Sequence, residues 1–132
     1  MDNCVFCKVI RGELPSYKIY EDSDFIGILD IFPVARGHSL LIPKQHYRWT
    51  YDVPNFGEYF ETARRVGMAV KSALNADWMQ FFTHGQIPHA HIHITPRYEA
   101  VETAPVIPRW DEPLKLEKKD FEKIAEKIRS SL

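Results

Sequence analysis

The chain has 132 residues, of which 45% are hydrophobic and 27% charged, and its formal net charge is −1. This length fits one domain with a real core, and the balanced charge leaves no footprint of a broad nucleic-acid surface. No apolar run approaches the ~18–20 residues that span a bilayer, and Met1-Asp2-Asn3-Cys4 lacks the basic-then-apolar pattern of a signal peptide, so the expected setting is cytoplasmic, where two cysteines serve as thiols or metal ligands rather than as a disulfide.

Cys4 to Gly12 reads as a short helix or turn that the glycine ends. Tyr17 to Glu21 reads as a strand, and Asp22-Ser23 as a turn. Phe25 to Asp30 is a second strand, followed by Pro33, and Gly37 to Ile42 a third, closed by Pro43. Residues 56–74 give the clearest helix: Phe56, Tyr59, Phe60, Ala63, Val66, Gly67, Val70, Ala73 and Leu74 recur at helical spacing. Asn55 is placed to cap it, with Glu58 in capping-box position. Trp78 to Thr83 reads as a fourth strand and His89 to Thr95 as a fifth. Residues 99–115, with Pro105, Pro108, Trp110 and Pro113, read as an extended tail. Residues 117–130 form a last helix with Phe121, Ile124, Ala125 and Ile128 on one face. Strands before and after one long helix imply an α+β fold around an antiparallel sheet of five strands.

The fifth strand carries the chemistry. In His89-Ala90-His91-Ile92-His93-Ile94-Thr95, alternation puts three histidines on one face and Ala90, Ile92 and Ile94 on the other. Three readings are open: a solvated polar face, a three-histidine zinc site that activates water, or nucleophilic catalysis by an imidazole. Residues two apart on a flat strand lie ~6.5–7 Å from each other, which makes three metal ligands from one strand hard to arrange.

The His-x-His-x-His run resembles the signature of the histidine-triad family of nucleotide hydrolases and transferases. Phe25-Ile26-Gly27-Ile28-Leu29-Asp30-Ile31-Phe32-Pro33 and Gly37-His38-Ser39-Leu40-Leu41-Ile42-Pro43-Lys44-Gln45-His46 resemble the amino-terminal half of the same family. The resemblance covers residues 4–98 of a single domain, with 99–132 as a carboxy-terminal tail and helix. It implies a homodimer with one sheet continuous across both subunits. It implies that His91 attacks the α-phosphorus of a nucleotide to give a covalent nucleotidyl-histidine, that His93 stabilises the phosphate charge, and that His38 helps orient the site. Phe25, Leu29, Asp30 and Ile31 match the family's pocket for base and ribose, an apolar slot suited to a purine with a carboxylate for ribose hydroxyls.

Cys4-Val5-Phe6-Cys7 is a Cys-x-x-Cys, which alone is a weak zinc signal, with buried thiols or a redox pair as its other readings. The resemblance implies a structural zinc ion on Cys4, Cys7, His46 and His89. The chain departs from the family before the triad, where Phe82-Thr83-His84-Gly85-Gln86-Ile87-Pro88 is a shortened link. The missing loop ordinarily supplies an Asn and backbone donors. Gln86 stands as a phosphate or leaving-group contact, with Thr83 and His84 as substitutes for the Asn. Arg97 either serves the substrate or pairs structurally, and Lys44 reads as a surface residue. The implied function is hydrolysis of nucleoside phosphoramidates, nucleotidyl conjugates or dinucleoside polyphosphates at the α-phosphorus, releasing AMP or GMP. Two alternatives stay open: a nucleotide-binding scaffold with weak or lost catalysis, and nucleotidyl transfer to an acceptor other than water. The uridylyltransferase relatives end the triad in Gln, whereas this chain has His93, which favours hydrolysis.

Overall fold

A computed structural model of the protein describes residues 3–99 and 112–132. The elements run α1 (Val5–Ile10), β1 (Lys18–Glu21), β2 (Phe25–Leu29), β3 (Ser39–Pro43), a 3₁₀ turn (Thr50–Asp52), α2 (Phe56–Leu74), β4 (Trp78–Phe82), β5 (Ile92–Arg97) and α3 (Lys118–Ser131). All five strands join one antiparallel sheet in the order β1-β2-β3-β5-β4. The fold is therefore α+β, with β1 and β4 at the edges.

Local chemistry sets the boundaries. Asp22 closes the β1–β2 hairpin because its Oδ1 accepts from the Asp24 and Phe25 amides at 2.8 and 2.7 Å. Gly12 ends α1 at φ +77°, a left-handed conformation that costs glycine little. Asn75 ends α2 in the same region at φ 55°. At the other end of α2 the expected Asn55 cap does not form. Asn55 has ψ 57°, outside the extended region that aims an N-cap side chain at the first turn, and makes no capping bond. The reciprocal capping box lies instead at α3, between Glu117 and Asp120.

The two faces of the sheet are both covered. α2 and α3 pack on one face, where Leu41, Ile92 and Ile94 meet Tyr59, Val66, Val70, Phe121 and Ile128. The opposite face holds a smaller cluster of Ile26, Ile28, Leu40 and Ile42 beneath Phe6 of α1. The fifth strand begins later than expected. The His89 amide donates to the Ile87 carbonyl at 2.8 Å and the Ala90 amide to the Tyr47 carbonyl at 2.7 Å, so residues 89–91 approach the sheet without joining its ladder. The alternation survives, with Ala90, Ile92 and Ile94 in the helix-side core. Residues 100–111, which include Trp110 and most of the expected extended tail, lie outside the described residues. Among the described residues no helix is long and apolar enough to cross a membrane.

Candidate functional site

His91 and His93 lie on the face away from the long helices, beside α1 and the β4–β5 loop. Both are buried, as is His38 at the start of β3. His91 Nδ1 lies 2.8 Å from its neighbour's carbonyl, the His89 oxygen. A carbonyl only accepts, so Nδ1 carries the proton and Nε2 keeps its lone pair. That Nε2 is buried and has no hydrogen-bond partner among the described residues. An imidazole with one nitrogen pinned and the other left free is a prepared nucleophile.

A directed chain of hydrogen bonds supports it. The Val34 amide donates to His38 Nδ1 at 3.1 Å, which puts the His38 proton on Nε2. That nitrogen donates to His93 Nδ1 at 2.9 Å, which in turn puts the His93 proton on Nε2. Asp30 Oδ2 stands 3.5 Å from His38 Nε2, and Asp30 Oδ1 accepts from the Phe32 amide at 2.8 Å. Burial drives the His38 pKa down to about 4 against the opposing pull of Asp30. Burial first, then the charges of His38, His91 and His84, drives His93 to about 2. Both rings are therefore neutral at physiological pH. The same chain weighs against a three-histidine metal site, because His93 Nε2 carries a hydrogen and not a lone pair.

These groups open on a cavity of about 520 Å³. Phe6, Val9, Leu14, Ile28, Leu29, Ile31, Leu40 and Ile87 make most of its wall, and Asp30, His84, Gln86, His91 and His93 stand at its polar side. An apolar slot with a few convergent polar groups is the usual form of a small-ligand site.

On the far side of His91, Cys4, Cys7, His46 and His89 bring their ligand atoms within 4.8 Å of one another. His89 Nε2 donates to the Pro43 carbonyl at 2.9 Å, leaving Nδ1 with its lone pair turned to Cys4 Sγ at 3.2 Å and Cys7 Sγ at 3.5 Å. His46 Nδ1 is 3.3 Å from Cys7 Sγ. Tetrahedral zinc with Zn–S of about 2.3 Å and Zn–N of about 2.0–2.1 Å sets N···S edges near about 3.6 Å. The donor set, the tautomer and the spacings fit that ion. Burial and then the Cys4 sulfur push the Cys7 thiol pKa up.

The HIT domain family model matches residues 11–100. The chain belongs to the histidine-triad (HIT) family. It is 35% identical over 105 residues to Protein hit of Bacillus subtilis, covering 74% of this chain and 72% of that one. It is 31% identical over 127 residues to the adenosine 5′-monophosphoramidase of Saccharomyces cerevisiae, covering 92% and 75% respectively. It is 39% identical over 106 residues to an adenylylsulfatase of Arabidopsis thaliana, covering 74% of this chain and 54% of that one. Among solved structures, a HIT-like protein from Bartonella henselae has a TM-score of 0.84 at 34% identity, covering 100% and 98% of the two chains. A zinc-bound member from Mycobacterium smegmatis has a TM-score of 0.76 at 30% identity, covering 98% and 93%.

Within this HIT chain the expected site residues separate into three places. His91, His93, His38, Leu29, Asp30, Ile31 and Gln86 gather at or beside the cavity. Cys4, Cys7, His46 and His89 draw together as a group that could hold a metal ion. Phe25 does not reach the site: it lies on the helix face, stacked on Tyr59 with ring centroids 5.0 Å apart. Thr83 is exposed at the end of β4 and does not line the cavity. Arg97 pairs structurally, its Nη1 donating to Gln80 at 2.8 Å and its guanidinium lying over Trp78. Two residues escaped sequence reasoning. Phe6 sets its ring against His91, with centroids 5.2 Å apart, and Phe82 stacks on His93 at 4.6 Å and 3°. Phe6 had a signal, since it lies between two cysteines tied to His89; Phe82 had only its place opposite His93 in the β4–β5 register.

Neutral buried histidines make stability depend on pH. For His38 and His93 the folded pKa lies below the unfolded value near 6.5. Stability is therefore complete above about pH 7 and declines as pH falls below about 6.5, because the unfolded chain binds the protons first. Each such group contributes a slope of up to about 1.4 kcal/mol per pH unit. Denaturant unfolding between pH 7 and 5 should show the loss, and His93→Asn should make it shallower.

Proposed function

We propose that this chain hydrolyses nucleotide derivatives at the α-phosphorus through a covalent nucleotidyl-histidine on His91. The observation that carries this is the free, buried Nε2 of His91 beside an apolar cavity. The Nε2 lone pair forms the N–P bond while the bond from phosphorus to the leaving group breaks. His93 Nε2–H faces the phosphoryl oxygens, where a preorganised donor lowers the barrier to attack. Water then forms a P–O bond, the N–P bond breaks, and its electron pair returns to Nε2. The slot walled by Phe6, Ile28 and Leu40 suits a purine face, and Asp30 at its rim suits ribose hydroxyls. The phosphoramidase of yeast and the adenylylsulfatase of Arabidopsis, both relatives, support adenosine 5′-phosphoramidate as the first substrate to try.

Cys4, Cys7, His46 and His89 would hold a structural zinc ion, which supplies no reacting group and ties α1 to the triad. The expected dimer has an edge to use: among the described residues β4 pairs only with β5, and it exposes Trp78 and Phe81. Sedimentation equilibrium should return twice the chain mass, and a monomer at micromolar concentration would end that expectation.

The test is AMP release from adenosine 5′-phosphoramidate. Release dependent on His91 supports hydrolysis. Binding of AMP without release would instead make the protein a nucleotide-binding module.

A further inference from the structure

One imidazole at the cavity stands outside the His-x-His-x-His run. His84 sits on the shortened β4–β5 loop, where a side chain on the next residue, Gly85, would meet the Trp49 ring at 2.6 Å. The loop therefore lies flat on Trp49 and turns His84 inward. Its ring stands edge-on to His91, with centroids 4.9 Å apart, and tilted against His93 at 4.7 Å. Ring nitrogens of His84, His91 and His93 lie within 4.8 Å of one another. An attacking nitrogen about 3–3.5 Å from phosphorus, with the leaving atom roughly 1.6 Å beyond, puts that atom about 5 Å from His91 Nε2. A ring nitrogen of His84 therefore stands within reach of a group attacked by His91.

We propose that His84 is a further catalytic residue, the acid that protonates the leaving group and then the base that takes a proton from the attacking water. This rests on the nucleotidyl-transfer reading above.

Cleavage needs a proton source that the triad does not offer. His91 is committed as nucleophile. His38 and His93 are locked in one tautomeric direction and are too deeply buried to charge. Among the described residues, the titratable side chains lining the cavity are Asp30, His84, His91 and His93, and Asp30 is engaged beside His38. His84 is only half-buried, so it is the imidazole that protonates at least cost. Its pKa is held down by burial, against the pull of Asp30. Among the described residues, the groups shown facing it include His91 and His93 from the β5 segment and Asp30 from the end of β2.

The free protein leaves this ring poised. His93 Nε2 lies 3.0 Å from His84 Nε2, and the Gln86 amide points at His84 Nδ1 from 3.3 Å. With His93 donating, both His84 nitrogens would have to accept, yet a neutral imidazole has one proton to place. The two contacts cannot both hold. An arriving phosphoryl oxygen that takes the His93 N–H frees His84 Nε2, and its negative charge favours the imidazolium. In the first step the His84 Nε2–H bond gives its proton to the leaving atom as the bond to phosphorus breaks. In the second, neutral His84 takes a proton from water as the P–O bond forms, restoring the imidazolium.

The experiment compares two leaving groups in the native protein and His84→Gln. Ammonia leaves from adenosine 5′-phosphoramidate only with a proton, whereas p-nitrophenolate leaves from the p-nitrophenyl ester of AMP without one. His84→Gln should lose about 10²–10³-fold on the phosphoramidate, within the range for one general acid, and under about fivefold in the initial burst of p-nitrophenolate, which reports the first step on the ester. The native rate on the phosphoramidate should fall as pH rises through the His84 pKa, and the variant should lose that limb. A p-nitrophenolate burst slowed as much as the phosphoramidate reaction, or a gain on both, would overturn the assignment and leave His84 a packing or covering residue. A native protein inactive on both would overturn the nucleotidyl-transfer reading itself, and the role of His84 with it.

Discussion

His91→Ala should abolish turnover of adenosine 5′-phosphoramidate, lowering kcat by at least about 10⁴-fold, as for other enzymes stripped of their nucleophile. The variant has no atom that can form the N–P bond. The loss should be as complete on the p-nitrophenyl ester, because a better leaving group does not replace a nucleophile. That separates His91 from His84, whose loss should spare the p-nitrophenolate burst, since that first step requires no proton. Folding should survive. The native Nε2 is buried without a partner, so deleting the ring removes an unsatisfied polar atom as well as packing against Phe6, and the two effects oppose each other. Near-native release by a folded His91→Ala protein would remove the covalent mechanism. Trapping labelled nucleotide on the native chain in protein denatured at alkaline pH, where the N–P bond survives, and not on the variant, gives the complementary evidence.

Alternation and helical spacing carried most of the fold. The face of α2 that holds Tyr59, Ala63, Val66 and Val70 is legible because an amphipathic helix buries one stripe. The division of Ala90, Ile92 and Ile94 from the three histidines is legible because side chains alternate across an extended segment even where the ladder has not begun. Phe25 shows where this stops. β2 and β3 are buried along their whole length, so both faces are apolar, and the pattern does not say which one meets the helices and which the cavity. The family resemblance placed Phe25 in the pocket; the register places Ile26 and Ile28 on the cavity face and Phe25 on Tyr59.

The site was legible as residue types and not as geometry. Nothing in the spacing of Cys4, Cys7, His46 and His89 states that three segments converge. Nor does the run of histidines state that the first turns to the sulfurs while the second turns to the cavity. That split arises because residues 89–91 leave the ladder, with the Ala90 amide drawn to Tyr47. The departure at 83–88 was legible as a shortened loop, but its consequence, a fourth imidazole against His93, depends on Trp49 lying under Gly85.

Removing the metal should cost about as much as any single change to this fold. α1 has six residues, too few for a helix to stand alone in water. Phe6 and Cys7 bury it against the sheet, and a zinc ion on Cys4, Cys7, His46 and His89 would tie it there. At free zinc a thousandfold above its Kd, linkage alone contributes about 4 kcal/mol, which for a domain of this size corresponds to a Tm difference of about 15 °C. Purified protein should contain close to one zinc per chain, chelation should lower Tm by about that amount, and added zinc should restore it. Cys7→Ser should start at the lower Tm and respond little to chelator. The effect should extend to the chemistry through one residue. His89 offers Nδ1 to the cluster and its carbonyl to His91 Nδ1, so loosening His89 also loosens the tautomer that leaves His91 Nε2 free. Chelated protein that is still folded should therefore lose the p-nitrophenolate burst on the p-nitrophenyl ester, which the His84 variant retains. Less than a tenth of an equivalent of zinc, or a Tm indifferent to chelator, would leave the four side chains as packed thiols and imidazoles and break the link between metal and nucleophile.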